Sequence, residues 1–268
     1  QQNFVKKLLS ISLRYDNVLY CIDNETSGVE EWAIYWAGFI KENSEGKEIY
    51  ITQMWDNWDV KSEMHKRTLD HPERYGFIDI SQNSQTLGRP NWDNAQYVFD
   101  YIKDSPRPVN STKVYGSDSG SWLDRGITTE HAVQTFCRNV LGGFASSRFH
   151  RPPSGLGLSK TSINCLQTIR KIEEKVKMWD IKPHTDLIRT DYQNVAYLSA
   201  REGEAYVIYF TGNGKVSVDL GSNMDFFELV WIPVESAEWG KPGILECTGW
   251  TEIQSEMTGS CFAVLTKK

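Results

Sequence analysis

Five polar clusters in this sequence hold the residue types that sugar chemistry uses. Asn24 and Glu25 close the run NVLYCIDNETS. Asp56, Asn57 and Trp58 follow EIYITQMW, and Gln82 and Asn83 follow YGFIDIS. Asp118 lies in KVYGSDSG, and Arg148, His150 and Arg151 lie in SSRFHR. Cleaving a glycosidic bond takes two carboxyl groups. One protonates the leaving oxygen and the other attacks the sugar or activates water, at separations of about 5–5.5 Å for retention and about 6.5–9.5 Å for inversion. Glu25 is therefore either a catalytic carboxyl at the mouth of a barrel or the first polar residue of a loop.

The elements that must position these clusters follow from periodicity. FVKKLLSISLR spaces Phe4, Leu8 and Ile11 as a helix, and EEWAIYWAGFIKE sets Trp32, Tyr35, Trp36, Phe39 and Ile40 on one helical face. NWDNAQYVFDYIKD predicts a helix that ends before Pro106. TTEHAVQTFCRNVLGG predicts one capped by Thr128 or Thr129 and stopped at Gly142 or Gly143. KTSINCLQTIRKIEEKVKMW is a long amphipathic helix, whereas His65 and His71 flank a segment that reads as a surface helix. Short apolar runs between these segments predict strands. Alternating strands and helices imply a parallel sheet with helices packed outside, so the strand-end clusters converge on one rim.

After Pro183 the pattern changes to short strands with period-two alternation: NVAYLSA, EAYVIYFTG, KVSVDLG, FELVWIPV, WTEIQS and CFAVLTKK. Turn residues such as Gly212, Asn213 and Gly214 separate them, which predicts an antiparallel β-sandwich of about 80 residues. The expected domains are residues 1–183, α/β, and 184–268, all-β. Five parallel strands are too few to close an eight-stranded barrel, though an open doubly wound sheet uses about that number.

Bulk properties narrow the partners. The chain has 268 residues and a net charge of −6, which argues against nucleic acid or an anionic membrane surface as the main partner. Ten Trp and twelve Tyr serve either core packing or stacking under sugar rings. Cys21, Cys137 and Cys165 sit in apolar patterns and read as buried, and Cys247 and Cys261 would pair only if their strands are neighbours. No cysteine spacing suits a metal, and no apolar stretch is long enough to span a membrane. A dinucleotide fingerprint, a phosphate loop, an HExxH helix and a GxSxG elbow are all missing, and no signal peptide is seen.

Specific segments carry a family resemblance. NVLYCIDNETS, with Asn24 and Glu25 at a strand end, resembles the acid/base position on the fourth strand of retaining (β/α)8-barrel (TIM-barrel) glycoside hydrolases. KVYGSDSG resembles the seventh-strand segment that presents the nucleophile in that clan. GGFASSRFHRPPSGLGLS resembles the eighth strand and following loop of an apiosidase-like, DUF4038-like bacterial set. AYVIYFTGNGKVSVDLG and FELVWIPV are similar to the C-terminal β-sandwich of that set, a module named for collagen binding.

The resemblance spans nearly the whole chain. It implies barrel strands four to eight followed by the sandwich, that is, the C-terminal portion of a retaining glycoside hydrolase acting on a bacterial- or plant-type polysaccharide or oligosaccharide. The alternatives are a non-catalytic carbohydrate-binding or scaffold protein and an inactive truncated barrel. It implies no cofactor and an extracellular or periplasmic location. The implied partners are the carbohydrate and either a separate N-terminal half-barrel chain or further copies of this one.

Carried onto these residues, the resemblance makes Glu25 the acid and Asp118 the nucleophile, although the clan usually has Glu there. Glu25 would need a raised pKa, while Asp118 would stay ionised with help from Arg148 or Arg151. Asn24 would bond a sugar hydroxyl, or form an ordinary turn. Asp56 would bind a hydroxyl with Trp55 or Trp58 stacked under a ring, or the loop is simply packed by Trp. Gln82 and Asn83 fit either subsite hydrogen bonds or a turn. Arg148, His150 and Arg151 suit an acidic sugar, or form a structural network with Asp118 and its neighbours.

Overall fold

The computed structural model describes residues 1–268 apart from Asp191, Ser222, Asn223 and Thr248. The first part alternates helix and strand: α1 (Gln2–Ser12), β1 (Leu19–Cys21), α2 (Glu30–Glu42), β2 (Tyr50–Thr52), α3 (Glu63–Leu69) and β3 (Ile78–Asp79). A 3₁₀ turn (Ser81–Gln85) then leads to α4 (Gly88–Tyr101), β4 (Val109–Val114), α5 (Ser121–Asp124), α6 (Thr129–Leu141), β5 (Ser146–Phe149) and α7 (Lys160–Lys175). β1 pairs with β2, and β3, β4 and β5 pair in that order, all parallel.

Helices with a full apolar period and a cap lie where the sequence predicts them. α2 coincides with EEWAIYWAGFIKE, and α6 runs from Thr128 at its N-cap to Gly142 at its C-cap. α7 stops at Lys175, and the KMW segment beyond contributes to a separate 3₁₀ turn over Met178–Asp180.

Three helical faces differ from expectation. In α1 it is Leu9, with Leu13 just beyond, that is buried, while Phe4, Leu8 and Ile11 are exposed. α2 buries Ala33, Trp36, Ala37 and Ile40 and leaves Trp32 and Tyr35 at the surface. Leu9, Leu13, Ala37 and Ile40 share one core with Ile51 of β2 and Tyr75. Both helices are apolar on more than one side, so only the tertiary neighbours decide which side packs. α3 buries His65, Thr68 and Leu69 rather than lying free on the surface, and the ring Nε2 of His65 meets the Asn57 carbonyl at 2.8 Å.

The second part is antiparallel. It comprises β6 (Lys182–Pro183), β7 (Ile188–Arg189), β8 (Ala196–Arg201), β9 (Ala205–Phe210), β10 (Gly214–Asp219), β11 (Asp225–Pro233), β12 (Gly243–Cys247), β13 (Trp250–Ser255) and β14 (Cys261–Lys267). Six strands form one sheet in the order β12-β11-β14-β9-β8-β6, and three form another in the order β13-β10-β7. β6, β7 and β12 are additions to the sequence reading. The first two are only two residues long, too short to show alternation, and β12 is largely exposed along its length.

Every residue of β9 is buried. One face of its sheet packs Leu198, Ile208 and Phe210 with Val216 and Val218 of β10. The other packs Tyr197, Val207, Tyr209 and Phe262 against Trp92, Phe136 and Ile169 of α4, α6 and α7. A sheet covered on both faces replaces the expected polar alternation with continuous burial. The ends of β4 and β5, at Val114 and Phe149, therefore rest on a core shared with this sheet. All five cysteines are free. Cys21 is exposed, contrary to expectation, and Cys247 and Cys261 do not pair.

Candidate functional site

Glu25 sits just beyond β1, where the chain stays in register with the neighbouring tip: Thr26 N–H donates to the Met54 carbonyl (3.0 Å), and Asp56 N–H donates to the Thr26 carbonyl (2.9 Å). Its φ of 49° lies in the left-handed region. For a residue with a Cβ that conformation costs about 1–3 kcal/mol, a strain that collects at functional sites. α2 begins at Glu30 with Val29 at its N-cap, so Glu25 does not cap the following helix.

Three donors fix the Glu25 carboxylate. Lys113 Nζ lies 2.7 Å from Oε1, Gln82 Nε2 donates across 2.7 Å, and the Tyr115 hydroxyl donates across 2.9 Å. Lys113 and Tyr115 are two residues apart at the end of β4, so both side chains point to the same face. Gln82 comes from the 3₁₀ turn after β3. Two successive strand ends, those of β3 and β4, thus aim at a carboxylate just beyond β1.

The electrostatics follow from these contacts. Partial burial pushes the Glu25 pKa up, but the hydrogen bonds from Lys113, Gln82 and Tyr115 outweigh it and hold the carboxyl below its usual range. Tyr115 is pushed well above the usual phenol value, by burial and then by Glu25, so it stays a neutral donor. His150 is held low by burial and then by the positive charges of Lys113, Arg151 and Arg148. Its Nδ1 lies 2.7 Å from the Ser154 hydroxyl. Below the rim, Asp79 is 2% exposed, and burial raises its pKa to about 6.

Glu25 opens onto a cleft of about 620 Å³. Of the residues expected at the site, Asn24, Glu25, Asp56 and Gln82 line it, together with Arg148, His150 and Arg151. Asp118 does not; it is exposed, two residues past the turn at Gly116. The turn is made at Gly116, whose φ is +127° and where an added Cβ would sit 2.3 Å from the Thr128 carbonyl oxygen. The structure thus does not bring Asp118 into the cleft lining with Glu25; from the same segment Lys113 and Tyr115 reach the carboxylate.

Two other expectations shift. Asn83 is buried, with its amide spent on the Asn91 carbonyl (2.8 Å) and on Asn94 (3.0 Å), so it braces α4 instead of facing the cleft. Trp58 is 63% exposed and outside the lining, while Trp55 is buried, with Arg67 over its ring. Neither indole forms a platform in the cleft.

The sequence reading did not single out Gln85, Lys113, Tyr115, Trp122 and Arg125, all of which line the cleft. Trp122 stacks on Tyr115 with centroids 4.0 Å apart, and the Arg125 guanidinium lies 4.9 Å from the Trp122 ring centroid. Tyr115, Trp122 and Arg125 therefore form a layered stack that ends on Glu25. The period-two spacing of Lys113 and Tyr115 was the available signal. Trp122 and Arg125 belong to a short helix and turn with no pattern to read.

A scan against protein-family models and a search of curated proteins each returned no match. Solved structures do match. The chain is similar over 99% of its length to 66% of a glycoside hydrolase family 5 protein from Bacteroides vulgatus ATCC 8482, at 13% identity and a TM-score of 0.69. It is similar over 99% of its length to 68% of another protein named as a glycoside hydrolase, at 12% identity and a TM-score of 0.70. A family 30 endoxylanase from Clostridium papyrosolvens C71 matches all of this chain with 70% of its own, at 13% identity and a TM-score of 0.57. The chain thus spans about two thirds of the length of the first two proteins and shares their mixed α/β, glycosidase-like fold.

Proposed function

We propose that this chain holds a saccharide in the Glu25 cleft and binds it without cleaving it. On this reading the five parallel strands correspond to strands four to eight of a (β/α)8 barrel, residues 1–183, and the antiparallel sheets form a sandwich domain, residues 184–268. The observation that carries the reading is the 2.7 Å contact between Lys113 and Glu25. Two-carboxylate hydrolysis needs one protonated carboxyl and a second carboxylate across the scissile bond. Glu25 is held as an anion, and the group facing it is an ammonium. The other cleft-lining carboxylate, Asp56, sits on the adjacent strand tip, hydrogen-bonded through its backbone to Thr26, on the same wall as Glu25.

What remains suits recognition. A carboxylate, amides and a phenol converge from different strand ends, and polar groups so fixed hold a ligand in one orientation. Asn24, Asp56 and Gln85 add hydroxyl partners around the rim.

The second reading is retaining hydrolysis with Glu25 as acid. It is favoured by the opening of Glu25 onto a cleft in a fold shared with proteins named glycoside hydrolases. Calorimetry over a panel of oligosaccharides, with chromatography of the recovered sugar, separates the two. Binding with the sugar recovered intact supports the proposal. New reducing ends that vanish in Glu25→Gln establish hydrolysis instead.

A further inference from the structure

We propose that the saccharide held in this cleft carries a carboxylate or sulfate group, an inference that rests on the saccharide reading above. Lys113, Arg125, Arg148 and Arg151 line the cleft against only two carboxylates, Glu25 and Asp56. Four cations against two anions leave an excess of two positive charges, in a chain whose net charge is −6. Glu25 is already committed to Lys113, so the three arginines face the cleft with little to neutralise them.

Other arginines are paired: Arg67 with Glu30, Arg89 with Asp93, Arg170 with Glu173 and Arg201 with Glu204. Among the described residues, Arg14, Arg107, Arg138 and Arg189 form no salt bridge, but none of these lines the cleft. Among the described residues, Arg125, Arg148 and Arg151 form no salt bridge either. Arg148 Nε instead donates to the Thr112 carbonyl across 3.3 Å, which anchors it at the end of β5, and Arg125 is laid over Trp122. Both keep guanidinium N–H groups for a ligand. The depressed pKa of His150, to which Lys113, Arg151 and Arg148 contribute after burial, is a second sign of the same positive field.

A guanidinium forks equally well onto the two oxygens of a uronate carboxylate or of a sulfate ester. Neutral sugars offer only hydroxyls and would leave these cations solvated and unused. The shared requirement is a planar or tetrahedral oxyanion on a sugar ring, placed beside β5 with the ring towards Glu25.

The test is calorimetric titration of the full chain with three probes: a galacturonic acid oligosaccharide, a sulfated galactose oligosaccharide and a neutral galactose oligosaccharide of equal length. At low salt at least one charged probe is expected to bind about tenfold or more tighter than the neutral one, a preference that shrinks as salt rises. The probe that binds tighter identifies the oxyanion. The double variant Arg148→Gln/Arg151→Gln should lose the preference. If the neutral probe binds as tightly as both charged ones, or the double variant keeps the preference, the inference is overturned while the saccharide reading stands. If no saccharide binds, both fall. Should the variant melt early, the wild-type salt series decides: a preference that persists at about 0.5 M salt does not arise from these arginines.

Discussion

Lys113 Nζ lies 2.7 Å from Glu25 Oε1, with the lysine side chain 8% exposed and the glutamate 34% exposed. A buried ammonium beside a half-open carboxylate fixes the charge of that carboxylate. Gln82 and Tyr115 donate to the same oxygen, Oε1. Catalysis by proton donation would require the opposite: an apolar wall that raises the carboxyl pKa towards neutrality. The carboxyl with a raised pKa is that of Asp79, buried below the rim and outside the cleft lining.

Asp79 gives a pH signature. Burial raises its folded-state pKa from 3.8 to about 6. Between these values the folded state binds more protons than the unfolded one, so this contribution to stability is greatest in acid and is lost as pH rises to about 6. The full effect approaches about 3 kcal/mol. Asp79→Asn should therefore gain stability relative to wild type as pH rises from about 4 to 6. Its new amide can also serve Asn110 Oδ1, which has no hydrogen-bond partner among the described residues. Denaturant midpoints of both proteins across that range test this, and a pH-independent difference would count against it.

Gly116 makes the turn that follows Tyr115. At φ +127°, with a Cβ position 2.3 Å from the Thr128 carbonyl oxygen, only glycine fits. Gly116→Ala should cost about 2–4 kcal/mol, and it should weaken saccharide binding because Tyr115 is the preceding residue. Thermal melts and calorimetry on one preparation measure both. An alanine variant of unchanged stability would mean that the turn is not as described.

The buried face of α1 is also open to test. Leu9 is 2% exposed and Leu8 is 45% exposed. Leu9→Ala should destabilise by about 2–4 kcal/mol, whereas Leu8→Ala should stay within about 0.5 kcal/mol of wild type. Equal losses would restore the face that the sequence spacing suggested.

That pair of leucines shows where sequence reading stops. Leu8 joins Phe4 and Ile11 in one helical stripe, and Leu9 joins Val5 and Leu13 in another. The choice is made by Ala37, Ile40 and Ile51, which are distant in sequence. α2 and α6 were legible because a full apolar period, with Thr128 and Gly142 bounding α6, fixes a helix locally. At the site, Glu25, Gln82, Arg148, His150 and Arg151 were legible as polar residues just past apolar runs. Lys113 was not, because a lysine inside a strand reads as one polar step of an alternation. Nothing in YGSDSG announces the turn at Gly116, which is followed by an exposed Asp118 outside the cleft lining.

Whether Glu25 is a fixed anion is read most directly from its own ionisation, followed by carbon NMR of glutamate side chains with Glu25→Gln to assign the signal. Glu25 is expected to titrate below the ordinary glutamate range and to move upward in Lys113→Met, because the ammonium is a main source of the stabilisation. A Glu25 carboxyl that titrates above that range in the wild-type protein, holding its proton towards neutral pH, would rule out the fixed anion and return Glu25 to the role of a catalytic acid.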